Sequence, residues 1–360
     1  METRLDLTSM SLDDMERLLV EMGQPAYRAR QLHRWVYHSR VESVEEMTNL
    51  PAPLREALSQ RCDLPRLRLE HRQQSADQTI KSLFRLTSGR LIESVLIPDF
   101  ETEEDRFGDG PATRLTVCVS SQVGCAMACS FCATGRMGFH QNLTAGEILE
   151  QVVLLSDLGQ AEFGRPVTNV VFMGMGEPLQ NYDEVVRSVD LMRSDAGLGL
   201  SAKRITISTV GLARRIRKLA EDGVEANLAI SLHAPDDAKR SSIMPVNRAA
   251  KTDLTALQES VRYYASETGK PVTYEYCMFQ GFNDSAADAR NLVEVCRWAP
   301  SKVNLIMYNP VPGLGFDRTD ESTLNAFIRI LVDGGVRVTV RRSRGQDIAA
   351  ACGQLAADNA

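Results

Sequence analysis

Three cysteines carry the strongest chemical signal in the chain. Cys125, Cys129 and Cys132 fall in GCAMACSFC, residues 124–132, at a C-x3-C-x2-C spacing. Thiolates spaced this way hold an iron–sulfur cluster or zinc. Zinc sites usually bring paired C-x2-C units. No second pair is present, so zinc would need His140 or a distant cysteine as fourth ligand. Three thiols on one short loop instead suit three irons of a [4Fe–4S] cubane, which leaves one iron open to a small molecule. Farther on, Gly-Met-Gly-Glu-Pro at 174–178 supplies glycines that let a backbone approach a ligand closely. The remaining five cysteines are scattered. Buried, unreactive thiols are the ordinary expectation for Cys62, Cys277 and Cys296. Cys118, on an apolar strand ahead of the triplet, shares that expectation. Cys352 fits it less well, because it precedes a glycine after an alanine-rich stretch that suits a loop better than a core.

The frame around these residues is legible from residue 113 onward, where apolar β-branched runs alternate with amphipathic ones. Strands are expected at 115–120, 167–173, 204–210, 226–232, 272–279, 303–308 and 336–342. Helices are expected at 144–158, 183–194, 211–222, 252–267, 286–298 and 321–333. Six strand–helix units in series predict an α/β fold, a parallel sheet covered by helices and curled into an open or partial (β/α)6 barrel. Chemistry in such folds gathers at the carboxyl ends of the strands, and the distinctive residues fall there. The cysteine triplet follows the first strand and GMGEP the second. Ser208 ends the third, Ser231-Leu232-His233 ends the fourth, and Asn309 of Tyr-Asn-Pro follows the sixth. Taken singly, Ser208 could simply finish a strand and His233 be a satisfied core histidine. Residues 1–60 read as short helices at 11–22, 25–39 and 51–61. Residues 66–98 read as a β-meander with a turn at Ser88–Gly89, and the acidic run 99–112 as an exposed linker. The chain thus divides into a helical segment (1–62), a meander with linker (63–112), a core (113–342) and a tail (343–360).

The composition is that of a globular chain, 43% hydrophobic and 24% charged. A net charge of −6 argues against nonspecific coating of nucleic acid but leaves room for a local basic face. Residues 24–41 hold Arg28, Arg30, Arg34 and Arg40 with no acid, interleaved with Tyr27, Trp35 and Tyr37. Such a stretch clamps phosphates and stacks bases, or is a solvated face with its aromatics packed inward. No apolar run approaches the roughly 18 residues of a membrane span. No basic-then-apolar leader opens the chain. A cytoplasmic protein is therefore expected, with its cysteines serving metal or catalysis rather than a disulfide scaffold.

The triplet, with Phe131 before its last cysteine and a run of strand–helix units after it, resembles the radical S-adenosylmethionine superfamily. The resemblance covers nearly the whole chain and is more specific than the triplet. Gly-Gln-Pro-Ala-Tyr-Arg-Ala-Arg-Gln from Gly23, Val-Ser-Ser-Gln-Val-Gly-Cys from Val119, Phe-Met-Gly-Met-Gly-Glu-Pro-Leu from Phe172 and Ala-Cys-Gly-Gln-Leu from Ala351 are similar to the bacterial dual-specificity ribosomal and transfer RNA adenine-C2 methyltransferases. The resemblance implies a [4Fe–4S] cluster on Cys125, Cys129 and Cys132, with two molecules of S-adenosylmethionine used per turnover. Gly176 and Glu177 would meet the methionine ammonium, and Ser208, Ser231, Leu232, His233 and Asn309 would make further cofactor contacts.

It also implies a route to an electron-poor carbon that will not attack a methyl cation equivalent, the kind of chemistry cofactors carry. Cys352 takes a methyl group by displacement. A 5′-deoxyadenosyl radical from a second S-adenosylmethionine removes a hydrogen from it, and the resulting carbon radical adds to C2. Glu93 of LIESVLIP takes the C2 proton, although spacing alone reads it as an exposed position on an alternating strand. Cys118 then attacks the Cys352 sulfur and leaves a transient disulfide. The implied partners are 23S rRNA near the peptidyl transferase centre, the adenosine beside the anticodon of certain tRNAs, and an electron donor such as flavodoxin with its reductase. A monomer with no membrane association is expected. Three alternatives stand beside this reading. A relative with the same cysteine pair methylates adenine C8 and confers antibiotic resistance. A non-methylating radical enzyme would not need Cys352. A zinc-stabilised RNA-binding module would need no catalysis. The helical amino-terminal segment and its Gly-Gln-Pro-Ala-Tyr motif favour C2.

Overall fold

The computed structural model describes residues 4–107, 110–249 and 252–357. Three helices at the amino end share a small core of their own. Ser11 caps α1 (Leu12–Glu21) through a reciprocal box with Asp14. The next helix, α2 (Arg28–His33), continues into a π-helical turn, Arg34–Ser39, that ends at left-handed Arg40. Together they fill the single helix expected over 25–39. Helix α3 (Ala52–Arg61) carries a proline in its first turn, where a missing N–H is no loss. Leu7, Met15, Leu19, Leu32, Val36, Leu54 and Leu58 pack between these helices, and a parallel bridge of Leu5–Asp6 with Cys62–Asp63 ties the ends of the segment together.

The rest of the chain builds one ten-stranded sheet in strict chain order. Strands β1 (Arg68–Gln74), β2 (Ile80–Arg85) and β3 (Leu91–Asp99) form the expected antiparallel meander. Strands β4 (Arg114–Cys118), β5 (Asn169–Phe172), β6 (Ile205–Thr209), β7 (Asn227–Ser231), β8 (Val272–Met278), β9 (Ser301–Met307) and β10 (Val338–Arg341) run parallel. Each lies within two residues of its expected bounds. Between them lie α4 (Ala145–Phe163), α5 (Tyr182–Arg193), α6 (Ala213–Glu221), α7 (Asp237–Ile243), α8 (Leu254–Thr268), α9 (Ala286–Cys296) and α10 (Glu321–Asp333). Of these only α7 was absent from the sequence expectation. Helix α4 shows why they form where they do. Thr144 and Glu147 make a capping box, Ile148, Leu149, Val152 and Leu155 face inward, and Gly164 closes the helix at φ 66°.

One feature differs from expectation. The meander is not a module apart, because β3 pairs with β4 and Val95 stands opposite Cys118. Covered by α4 on one face and lining the barrel on the other, β3 is buried almost throughout. The division placed at residue 112 is therefore a loop within a sheet, and that loop contains a helical turn, Glu103–Phe107. The barrel is open, as expected, for among the described residues neither β10 nor β1 has a strand partner on its outer side. The tail fills the seam. Asp347 accepts from Ser75 Oγ at 2.5 Å and from the Ala76 N–H at 3.1 Å. The Gly345 N–H donates to Asp77 at 3.0 Å. Among the described residues no helix is long and apolar enough to cross a membrane.

Candidate active site

The cysteine triplet sits on the loop that leaves the carboxyl end of β4. A short antiparallel pair, Gln122–Gly124 with Phe139–Asn142, closes the loop at its base. Gly124 is required there. Its φ is 72°, and a Cβ would lie 1.9 Å from the Gly138 carbonyl oxygen. The Cys125 N–H donates to that same oxygen at 2.8 Å, and the Ser130 N–H donates to Ile243 O at 2.9 Å, pinning the loop to the end of α7. All three thiols are free. Burial, above all, pushes Cys125 up to about 12, Cys129 well above the usual thiol range and Cys132 upward; Cys132 also raises Cys125 and Cys129, and Cys125 raises Cys129. Among the described residues no three His, Cys, Asp or Glu side chains gather as a single ion needs, and His140 is exposed. The zinc reading therefore lacks a ligand set.

Beside the triplet a cavity of about 150 Å³ is lined by Phe131, Cys132, Gly176, Glu177, Ser208, Ser231, His233 and Cys277. Gly176, at φ 103°, presses the GMGEP turn so close to Gln122 that a Cβ would sit 2.6 Å from the Gln122 Cβ. Gln122 Oε1 accepts from the Glu177 N–H at 2.8 Å. The Glu177 carboxylate is buried, and both of its oxygens are already engaged. Oε1 accepts from the Leu179 N–H and Thr209 Oγ1, and Oε2 accepts from the Val210 N–H at 2.8 Å. Burial lifts its pKa to about 7, while these hydrogen bonds hold it down. Ser208 and Ser231 bring their hydroxyls within 3.5 Å of each other. His233 occupies a left-handed φ of 57°. Its Nδ1 accepts from the Cys277 N–H at 3.0 Å, and its ring stands edge-on to Phe131 at 4.8 Å. Burial drops its pKa to about 3, with Arg240 adding to the effect, so it is neutral. Leu232 is different. Its side chain is wholly buried in the main core and its N–H donates to Glu275 O, so it forms no part of the cavity wall. Cys277, read from sequence as an inert core thiol, is buried but faces the cavity.

Cys118 and Cys352 meet at a second cavity of about 60 Å³. One ends β4 and the other lies on the tail. Neither is in a disulfide, and all eight cysteines are free. Burial, then the neighbouring Cys352, pushes the Cys118 thiol up to about 12, and Arg341 pulls it back. Arg341, the last residue of β10, lines both cavities and donates to Met173 Sδ at 3.1 Å. Asn309 lines this second cavity rather than the first. Its amide is taken by the tail: Nδ2 donates to Cys352 O at 3.4 Å, and Oδ1 accepts from Gln346 Nε2 at 2.7 Å. Gly353 O in turn accepts from the Ala133 N–H, directly after the triplet. Glu93 is not the exposed position that alternation suggests, being 7% exposed. It shares a sheet face with Val95, whose partner is Cys118. One carboxylate oxygen pairs with Lys81 Nζ at 3.0 Å, and the other accepts from the Ala356 N–H at 2.9 Å.

Known proteins match this architecture. Residues 5–64 fit the profile of the ribosomal RNA large subunit methyltransferase N-terminal domain, and residues 119–293 that of the radical SAM superfamily. A probable dual-specificity RNA methyltransferase RlmN from Salinibacter ruber is 56% identical, over 99% of this chain and 95% of its own. The chain belongs to the RlmN family. A dual-specificity RNA methyltransferase RlmN from an Anaeromyxobacter species is 44% identical over 99% of this chain and 92% of its own. The crystal structure of a radical SAM methyltransferase from Sphaerobacter thermophilus superposes with a TM-score of 0.87 at 44% identity, covering 98% of this chain and all of that one. As a radical SAM RNA methyltransferase of the RlmN family, the protein requires a [4Fe–4S] cluster and S-adenosylmethionine. The free thiol triplet and the glycine-pressed cavity beside it fit that pair. Sequence reasoning missed Lys81, Arg341 and Asp347, which position the site residues and stand in no quoted motif, and it quoted Gln122 only as part of the Val-Ser-Ser-Gln-Val-Gly-Cys motif without a role.

Proposed function

We propose that the protein methylates C2 of a specific adenosine in 23S rRNA and of the adenosine beside the anticodon in tRNAs, carrying the methyl group on Cys352. The observation that carries this reading is the placement of two free thiols, Cys118 and Cys352, on one cavity that adjoins the cofactor cavity through Met173, Ile306 and Arg341. A structural thiol needs no such partner. Cys125, Cys129 and Cys132 would hold the cluster, with Glu177, Ser208, Ser231 and His233 around S-adenosylmethionine. Bound there, the cluster and S-adenosylmethionine supply one-electron chemistry that an aromatic C–H position requires.

The chain's own residues do the rest. Cys352, as thiolate, displaces the methyl group from the sulfonium, and S-adenosylhomocysteine leaves. Arg341 is the half-buried cation that lines the same cavity as the two thiols. Glu93 takes the proton from C2, its carboxylate aimed by Lys81 and the Ala356 N–H. Cys118, as thiolate, attacks the Cys352 sulfur, so the S–S bond forms as the S–C bond to the base breaks; the released CH2 carbon takes up a proton to become the methyl group, and the one electron left over would pass back to the cluster. An external thiol then resets the pair. A flavodoxin-type donor supplies the electron, and the protein works as a cytoplasmic monomer.

The test is anaerobic reconstitution with S-adenosylmethionine, a reductant and each RNA in turn, followed by mass spectrometry of the nucleosides. Methyl on C2 in both RNAs is expected, and Cys352→Ala should lose it while still cleaving cofactor. Methyl on C8, or full methylation by the Cys352→Ala variant, overturns the proposal.

A further inference from the structure

Strands β3 and β4 are antiparallel neighbours, and such pairs usually need only about two to five connecting residues. Here residues 100–113 join them. The excess is acidic and is folded rather than trailing. Thr102 and Asp105 cap each other's N–H groups, starting the turn Glu103–Phe107, and Gln78 Nε2 donates to Arg106 O at 2.8 Å. Its carboxylates reach the open lower end of the barrel, where the amino ends of the parallel strands enclose a cavity of about 550 Å³. Glu103 pairs with Arg342 and, at 2.8 Å, with Arg106. Asp99 holds Arg114 at 2.6 Å and Arg344 at 3.2 Å. Arg204, Lys302 and Arg341 line the same cavity, against Asp99 and Glu275 as the lining acids among the described residues, so cations dominate there. Among the described residues the buried donors Arg344 Nη1 and Arg106 Nε find no partner. Through Ile97, Met173 and Arg341 this cavity shares a wall with the one that holds Cys118 and Cys352.

We infer that segment 99–107 is a built-in phosphate mimic. Asp99 and Glu103 hold Arg114, Arg342 and Arg344 in place until the phosphodiester backbone of an RNA displaces them at the lower mouth of the barrel. A carboxylate and a phosphodiester present the same pair of anionic oxygens to a guanidinium fork. The Glu103–Arg342 pair is solvent-exposed, and an exposed pair contributes little to stability, so a polyanion exchanges for it readily. The inference rests on the reading that the substrate is RNA.

The experiment uses the full-length holoprotein and a fluorescent tRNA transcript, with Kd followed by anisotropy across a potassium chloride series. Glu103→Gln should tighten binding about three- to tenfold at low salt. It should also steepen the slope of log K against log[salt] by roughly one, because a carboxylate no longer has to be neutralised as RNA arrives. Arg342→Gln should weaken binding and flatten the slope. Iron content and circular dichroism report that each variant is folded, and Glu103 is exposed enough that its substitution leaves the core untouched. A Glu103→Gln protein with unchanged Kd and slope overturns the mimic, whatever Arg342→Gln does. A parent protein that binds no RNA at any salt instead removes the reading beneath it, so the two failures are distinguishable.

Discussion

Glu93 and Lys81 face each other with 9% and 12% of their side chains exposed. Removing one partner of so buried a pair strands the other charge, at a cost of about 3–5 kcal/mol. Lys81→Met is therefore expected to lower base methylation at least tenfold, with Lys81→Arg recovering part of it. Methyl loading of Cys352, read by intact protein mass, should survive, because it needs no base at Glu93. A loss of loading equal to the loss of methylation would count against the pairing as a catalytic aim. Gly124 makes a second residue-scale prediction. Its Cβ would collide with the Gly138 carbonyl that also receives Cys125. Gly124→Ala should at least halve iron and sulfide per chain in reconstituted protein while leaving far-ultraviolet circular dichroism unchanged. At this scale the sequence showed residue types and hid directions. The triplet and GMGEP were legible from spacing, whereas Leu232 turns into the core and Asn309 turns to the tail. Nothing in a strand-end pattern tells which of two neighbouring cavities a side chain faces.

The tail is the element that completes the site, and Asp347 moors it to the β1–β2 turn through Ser75 and Ala76. Asp347→Ala should reduce methylation about three- to tenfold and speed proteolysis of the tail, with cofactor cleavage continuing uncoupled. Intact coupling in that variant would show the mooring to be incidental. In the amino-terminal domain only part of the basic-aromatic stretch is free to meet RNA. Arg40 is spent on Glu150 and Asp157, Trp35 and Tyr37 hydrogen-bond within the protein, and Tyr27, Arg30 and Arg34 remain exposed. His33 is buried beneath them, and burial, with His38, drops its pKa to about 4. Between pH 6.5 and 4 the unfolded chain therefore binds a proton that the folded one refuses, so stability falls as pH falls through that window. Thermal melts should show a shallower pH dependence for His33→Gln than for the parent over that range, and identical slopes would contradict the assignment. The strands and most helices were readable because β-branched runs and helical periodicity are local properties. The tail's docking was not, because Asp347 and Ser75 stand 272 residues apart in the chain.

The core formed by residues in the first 62 is distinct from the one spanning the sheet and its helices, which makes the molecule separable in principle. Deleting residues 1–64 should leave the barrel able to bind cluster and cleave cofactor while lowering RNA methylation at least a hundredfold, measured on tRNA and the 23S fragment alike. Equal methylation by the truncated protein would mean that the helical domain has no part in holding RNA. The strict chain order of the ten strands has a consequence for how the protein is made. Each strand pairs only with the one before and the one after it, so a sheet growing on the ribosome can add each new strand to a finished edge without waiting for distant chain. The loop of Cys125, Cys129 and Cys132 is synthesised before the tail. A nascent chain can thus shelter these three thiols in folded structure before Cys352 leaves the exit tunnel, and Cys352 reaches its pocket only after the strands that wall it have been made.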